Sequence, residues 1–188
     1  MSSEQGPAPR AQAWRAVAGC VGRSFVMLAR RQVHLPGENV GRVLQFADGS
    51  TSRVYRETAV RAVPREPCIL VVAFRLRLVR GRAHRLFEAE SLLNTPLFVG
   101  FPGFVSKLWC AHDDRGVYRG FYEWDGAERA HHYAASLWRV LELVSVPGSI
   151  SYKVLPGLRR DEALADPARM ETAAAGAGQA WWRLLGHP

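Results

Sequence analysis

The sequence predicts an α+β fold built on one antiparallel sheet. Three observations predict it. Segments of alternating apolar residues are separated by Gly, Pro and Asp turns, as half-buried strands are. Segments with apolar residues three and four apart lie among them, as amphipathic helices do. From Cys68 to Leu155 the segments run strand, helix, strand, strand, helix, strand. At 188 residues and 48% hydrophobic, the chain has enough apolar side chains for one core carrying extensions.

Composition narrows the function classes. The net charge is +8, from 25 basic residues of which only Lys107 and Lys153 are lysine. The arginines are spread along the chain without a recognition-helix or zinc-finger signature, so no nucleic-acid partner is expected. No run of about 18 apolar residues occurs, so no membrane span is expected. Cys20, Cys68 and Cys110 are scattered and odd in number. They form neither a disulfide framework nor a metal pattern, and they fit a cytoplasmic protein.

The elements follow in order. Residues 1–9 are polar and Pro/Gly-containing, with disorder expected. Residues 10–66 form an N-terminal extension. Within it, Arg10–Gln32 predicts a helix with Trp14, Val17, Val21, Phe25 and Leu28 on its apolar face. No acid occurs between Glu4 and Glu38, which suits either a cap helix packed on the domain or a basic membrane-surface or presequence helix. The cap is preferred because structured sequence follows directly. Arg42–Ala47 and Thr51–Thr58 predict a hairpin about Asp48-Gly49.

The central unit spans 67–155. Cys68–Val79 predicts its first strand, with Leu70, Val72 and Phe74 opposite Ile69, Val71 and Ala73. Ala83–Leu93 predicts a helix, stopped at Asn94-Thr95-Pro96, and Leu97–Phe104 an apolar loop. Val105–His112 and Val117–Trp124 predict two strands. Asp125 is the expected cap of a helix over Ala127–Leu143, with Ala130, Ala134, Leu137, Leu141 and Val144 inward. Ser149–Leu155 predicts the last strand. Residues 156–188 add a loop to Pro167 and a helix over Ala168–Leu185. There Trp181 and Trp182 should dock on the domain or on a partner subunit rather than on a membrane.

The β-α-β-β-α-β order is that of a ferredoxin-like fold. One face of its sheet, with Ile69, Val71 and Ala73, needs cover, and two copies covering each other would give a homodimer. The stretch PGFVSKLW followed by GVYRGFYEWDGAERAHHYAASL resembles the dimeric α+β-barrel superfamily, specifically small monooxygenases related to the antibiotic-biosynthesis monooxygenases. Pro102, Gly103, Lys107, Trp109, Gly116, Tyr118, Tyr122, Trp124, Ala127, Tyr133 and Leu137 carry the resemblance. It covers about 67–155, and the terminal extensions depart from it. It implies a pocket between sheet and helices in each protomer. Relatives use that pocket to oxidise electron-rich aromatic polyketides without metal or flavin, to bind haem, or to isomerise and cyclise.

No complete catalytic motif is present. His131 and His132 lie near a helix start and point about 100° apart, so at most one faces a pocket fully. Each suits a general base or a haem ligand, or a surface position. Tyr118, Tyr122 and Trp124 share a strand face, near Trp109 and Trp138. This is either a stacking platform with phenols to fix or deprotonate a substrate, or an aromatic core. Phe98, Phe101 and Phe104 either gate the pocket or tuck beneath a helix. Arg119, with Glu123 and Lys107 nearby, either forms ion pairs or stabilises an enolate. Asp113-Asp114 reads as a solvated turn rather than a cation site.

The expected function is that of an enzyme without metal or bound cofactor, oxygenating an aromatic or polyketide-type intermediate of secondary metabolism. The alternatives are a cyclase or isomerase in the same pocket, a non-catalytic haem or hydrophobic-ligand carrier, and a peripheral-membrane interaction protein.

Overall fold

The computed structural model describes residues 6–77, 91–172 and 181–185. Strands β1 (Val33–His34), β2 (Val43–Gln45), β3 (Thr51–Val60), β4 (Pro67–Arg75), β5 (Phe104–Cys110), β6 (Val117–Asp125) and β7 (Ser151–Pro156) form an antiparallel sheet in the order β1-β3-β5-β6-β4-β7, with β2 on β3. The inner order β5-β6-β4-β7 is the ferredoxin-like arrangement expected for the central unit. The helices are α1 (Arg10–Ala29), α2 (Ala127–Glu142), α3 (Arg160–Ala165) and α4 (Ala168–Thr172), with a 3₁₀ segment at Ser91–Leu97. The predicted helix Ala83–Leu93 lies outside the described residues except at its last three positions.

Period-two alternation assigns each strand's side chains to two cores. Leu70, Val72, Trp109, Tyr122 and Trp124 face α1 and α2. Ile69, Val71, Leu108, Phe121 and Leu155 face the other way. That second face is covered by the chain's own C-terminal residues: Leu158, Ala163, Leu164, Met170, Trp182 and Leu184 pack on it with Phe46 of the hairpin. The face on which the dimeric barrel would close therefore carries the extension instead.

Several expectations need correction. Ala8 is not loose: its N–H donates to the Ala135 carbonyl at 3.0 Å, and its carbonyl accepts from Arg139 Nε at 2.9 Å. On α1 the buried residues are Ala13, Val17, Cys20 and Ser24, while Trp14 and Phe25 are 46% and 60% exposed. The small stripe wins because it lets the helix backbone approach closely. A Cβ on Gly100 would lie 2.2 Å from the Cys20 carbonyl oxygen. Ser24 Oγ both accepts from the Gly100 N–H at 2.9 Å and reaches the Pro96 carbonyl at 2.8 Å.

Asp125 does not cap α2. Gly126 at φ 99° precedes the helix, and the Asp125 carboxylate instead accepts from the Arg65 and Glu66 N–H groups at 2.7 and 2.9 Å. The predicted loop 156–167 contains α3. The predicted last helix is helical over Ala168–Thr172, but its end at 181–185 is not: Trp181 and Trp182 form a turn, and Leu184 makes an isolated bridge. There Trp182 and Leu184 alternate inward, and Leu184 bridges to Phe46 on the hairpin.

Candidate functional site

The aromatic residues singled out in the sequence separate into groups. The central group lies between the sheet and α1/α2. β5 supplies Phe104 and Trp109, β6 supplies Tyr122 and Trp124, and the loop before β5 supplies Phe98 and Phe101; all six are buried. Phe98 is edge-on to both Phe104 and Trp109, each at 5.2 Å between centroids. Phe104 is edge-on to Trp124 at 5.7 Å. Such edge-to-face contacts are the preferred aromatic geometry.

α2 contributes Tyr133, which was not singled out as a site residue. Its ring lies 4.7 Å from Trp124 and 5.1 Å from Phe101, and its hydroxyl donates to that of Tyr122 at 3.2 Å. The signal was present: Tyr133 is three residues after Ala130 and four before Leu137, on the inward face. Gly120 makes room for the pair, because a Cβ there would meet the Tyr122 ring at 2.5 Å. Burial pushes both phenols up, which favours their protonated form.

Lys107 is the second addition to this group. It lies in the aromatic face, not beside Arg119 and Glu123 as expected. A register shift between Phe104 and Ser106 sets β5 so that Lys107 stands opposite Tyr122. Its Nζ sits 3.1 Å from the Trp109 ring centroid, with the Phe98 and Tyr122 rings at 4.6 and 4.8 Å. No carboxylate among the described residues pairs with it. Burial, and then the charge of Arg56, hold its amine well below the usual lysine range. Arg56 lies over the same indole at 4.4 Å and donates to Thr58 and Thr95 hydroxyls. Thr58 Oγ1 accepts from Trp109 Nε1 at 3.0 Å.

The remaining predicted residues lie elsewhere. His131 and Trp138 are half-buried and edge-on to Tyr152 of β7, at 5.8 and 6.2 Å. His132 is exposed and stands 6.2 Å from Phe101. Tyr118 is buried at the far end of β6 from Trp124, against Phe74 and His112. Arg119 is on the opposite face of the sheet. It donates to Asp113 at 2.8 Å, to Asp48 at 3.2 Å and to the Trp181 carbonyl at 3.3 Å. This buried network ties the hairpin and the C-terminal residues to the sheet, so Arg119 is held by ion pairs. Asp113 is itself buried rather than solvated, accepting also from the Arg115 and Val117 N–H groups. Glu123 pairs with Arg159 at 3.3 Å.

Among the described residues, concavities flank the sheet on both sides. One of about 510 Å³ lies between the hairpin and residues 164–167, lined by none of the predicted site residues. Another, about 630 Å³, is a groove between the C-terminal end of α1, the end of β3 and the loop 99–104. Phe101 and Phe104 line it with Met27 and Val60, and Arg23, Arg30, Arg31 and Arg61 surround it. It abuts the central aromatic group, since Phe104 packs on both Phe98 and Trp124.

The two histidines expected as haem ligands would have to reach a pocket to hold the iron. No histidine lines the groove, and His131 lies against Tyr152, so neither histidine expected as a haem ligand is placed in it. Among the described residues no three His, Cys, Asp or Glu side chains gather as metal ligands, and no helix is long and apolar enough to cross a membrane. All three cysteines are buried, and burial pushes Cys68 and Cys110 up to about 12, which makes them unreactive.

No family model matches the chain, and no curated protein matches it. Among solved structures it is similar to an uncharacterized ferredoxin fold protein related to antibiotic biosynthesis monooxygenases from Listeria monocytogenes. The identity is 13%, the TM-score 0.40, and the match covers 69% of this chain and 85% of the other.

Proposed function

We propose that the protein is a small-molecule enzyme that oxygenates an electron-rich aromatic compound without a resident metal or organic cofactor. The observation that carries this reading is the groove whose apolar floor is Met27, Val60 and the small exposed parts of Phe101 and Phe104, with His132 outside its lining, 6.2 Å from Phe101. An apolar groove lining suits a flat, apolar substrate. The reading requires the substrate's edge to extend past Phe101 to His132, and histidine is the side chain most often used for such proton transfer. The chemistry assigned to His132 is removal of a C–H proton activated by an adjacent aromatic ketone or phenol. The carbanion then passes one electron to O₂, and the radical pair recombines to a peroxide. Loss of water leaves a carbonyl: CH₂ plus O₂ gives C=O plus H₂O. Tyr122 and Tyr133, held as phenols behind Phe101, stiffen the floor instead of taking the proton. A dimeric barrel closed over the Ile69–Val71 face would have to displace the C-terminal segment, so the site is assigned to the single chain.

The test is oxygen uptake with anthrone, a flat ketone with an acidic methylene. The expected result is one O₂ consumed per anthrone. His132→Ala should lower the rate by roughly 10²-fold or more, with His131→Ala near wild type. Uptake at the rate of the enzyme-free blank, or full activity in His132→Ala, would overturn the reading.

A further inference from the structure

The groove is lined by four arginines and, among the described residues, by no acid. Only Arg23 is engaged there, through Nε to the Gly100 carbonyl at 2.7 Å. The side chains of Arg30, Arg31 and Arg61 make no hydrogen bond or ion pair among the described residues. Nothing nearby on α1 neutralises them, since no acid falls between Glu4 and Glu38.

Arg31 has a second peculiarity. It is the one non-glycine among the described residues with positive φ, at 53°. It stands directly after the last turn of α1, where its N–H donates to Leu28 and the Gln32 N–H donates to Met27. A helix that ends this way usually places Gly there, or Asn, because a Cβ is strained in the left-handed region. A cation at a helix C-terminus is favourable, but Arg30 already supplies one without a left-handed backbone. Backbone strain of this kind points to a side chain retained for a purpose. Here that side chain borders the groove.

We infer that the ligand of this groove carries an oxyanion, a carboxylate or its equivalent, on its aromatic body, and that Arg31 with Arg30 and Arg61 holds it. This rests on the groove being the ligand site. Guanidinium groups match a carboxylate in shape as well as charge, because paired N–H donors meet paired oxygens. The apolar floor takes the rings and the arginine rim takes the charge, which orients a flat substrate end to end.

The experiment is calorimetric titration with 2-naphthoate and its neutral isostere 2-naphthamide, together with a thermal melt of each variant. Wild type should bind the naphthoate about 10-fold tighter, as one charge-assisted contact gives, and the preference should narrow as salt is raised. Arg31→Gly should lose most of that preference while melting at a higher temperature, since glycine relieves the left-handed backbone. Arg31→Lys should keep part of the preference. Equal binding of the two probes, or a preference unchanged in Arg31→Gly, would overturn the inference while leaving the groove as a site. Binding of neither probe would overturn the groove itself. A lower melting temperature in Arg31→Gly would show that the left-handed arginine is kept for the fold.

Discussion

Lys107 is where this chain departs most from ordinary core chemistry. An amine enclosed by Trp109, Phe98 and Tyr122 lacks the water that would solvate its charge. Its pKa falls in the folded state, so between that value and the unfolded lysine value of about 10.4 the unfolded chain holds one more proton. Folding stability must then rise with pH through that window, and the full cost is present below it. Lys107→Met keeps the length of the side chain and removes the titration. It should stabilise the protein by roughly 1–2 kcal/mol at pH 5, with the gain shrinking toward pH 10, as chemical denaturation across pH would report. A loss of stability at every pH would mean that the amine is needed for packing. Neither the burial of Lys107 nor its aromatic enclosure was legible in the sequence. One-residue alternation from Val105 puts Lys107 beside Val105 and Trp109, but the register shift at Phe104/Ser106 decides what it faces, and nothing in the residue types announces that shift. Tyr133 was legible by helical spacing but was masked by the two adjacent histidines.

At the scale of elements, the strands were read well and the helices less so. Strand faces follow from a period of two, and β4 sorts Leu70 and Val72 from Ile69 and Val71 as that period requires. The buried face of α1 was misread because size, not hydrophobicity, decides it. Trp14, Phe25 and Leu28 form the more apolar stripe, yet the helix docks through Ala13, Val17, Cys20 and Ser24 so that Ser24 can bridge Pro96 and Gly100. Gly100 is the sharpest point of that contact. Gly100→Ala would drive a methyl group into the Cys20 carbonyl, at 2.2 Å, and the Ser24 hydroxyl, at 2.7 Å. A cost of about 2–3 kcal/mol is expected in urea unfolding, because backbone must move. A variant within about 0.5 kcal/mol of wild type would show that α1 slides freely on the loop. The same contact fixes one wall of the groove, so the variant should also weaken ligand binding.

Across the whole molecule, the two faces of the sheet are finished differently. The C-terminal side is closed by Trp182, Leu184 and Met170 and braced by buried ion pairs, Arg119 with Asp113 at 2.8 Å and Arg160 with Glu57 at 2.7 Å. Removing one partner of such a pair leaves a buried charge, so this side is held for architecture. The helix side keeps an aromatic interior beside an open, arginine-rimmed groove. Sequence order was enough to place the ferredoxin-like unit, because local periodicity and turns set it. Which face stays accessible depends on where residues 156–172 and 181–185 pack, a long-range contact with only the alternating Trp182 and Leu184 to hint at it. On the proposed reading, ligand enters from the helix side. Amide chemical-shift mapping by NMR with 2-naphthoate measures this directly. The largest shifts are expected at Met27–Gln32, Val60–Ala62 and Val99–Phe104, with His132 following. Shifts centred on Arg42–Gln45, Leu164–Pro167 and Leu184 instead would place the ligand on the opposite face and contradict the account.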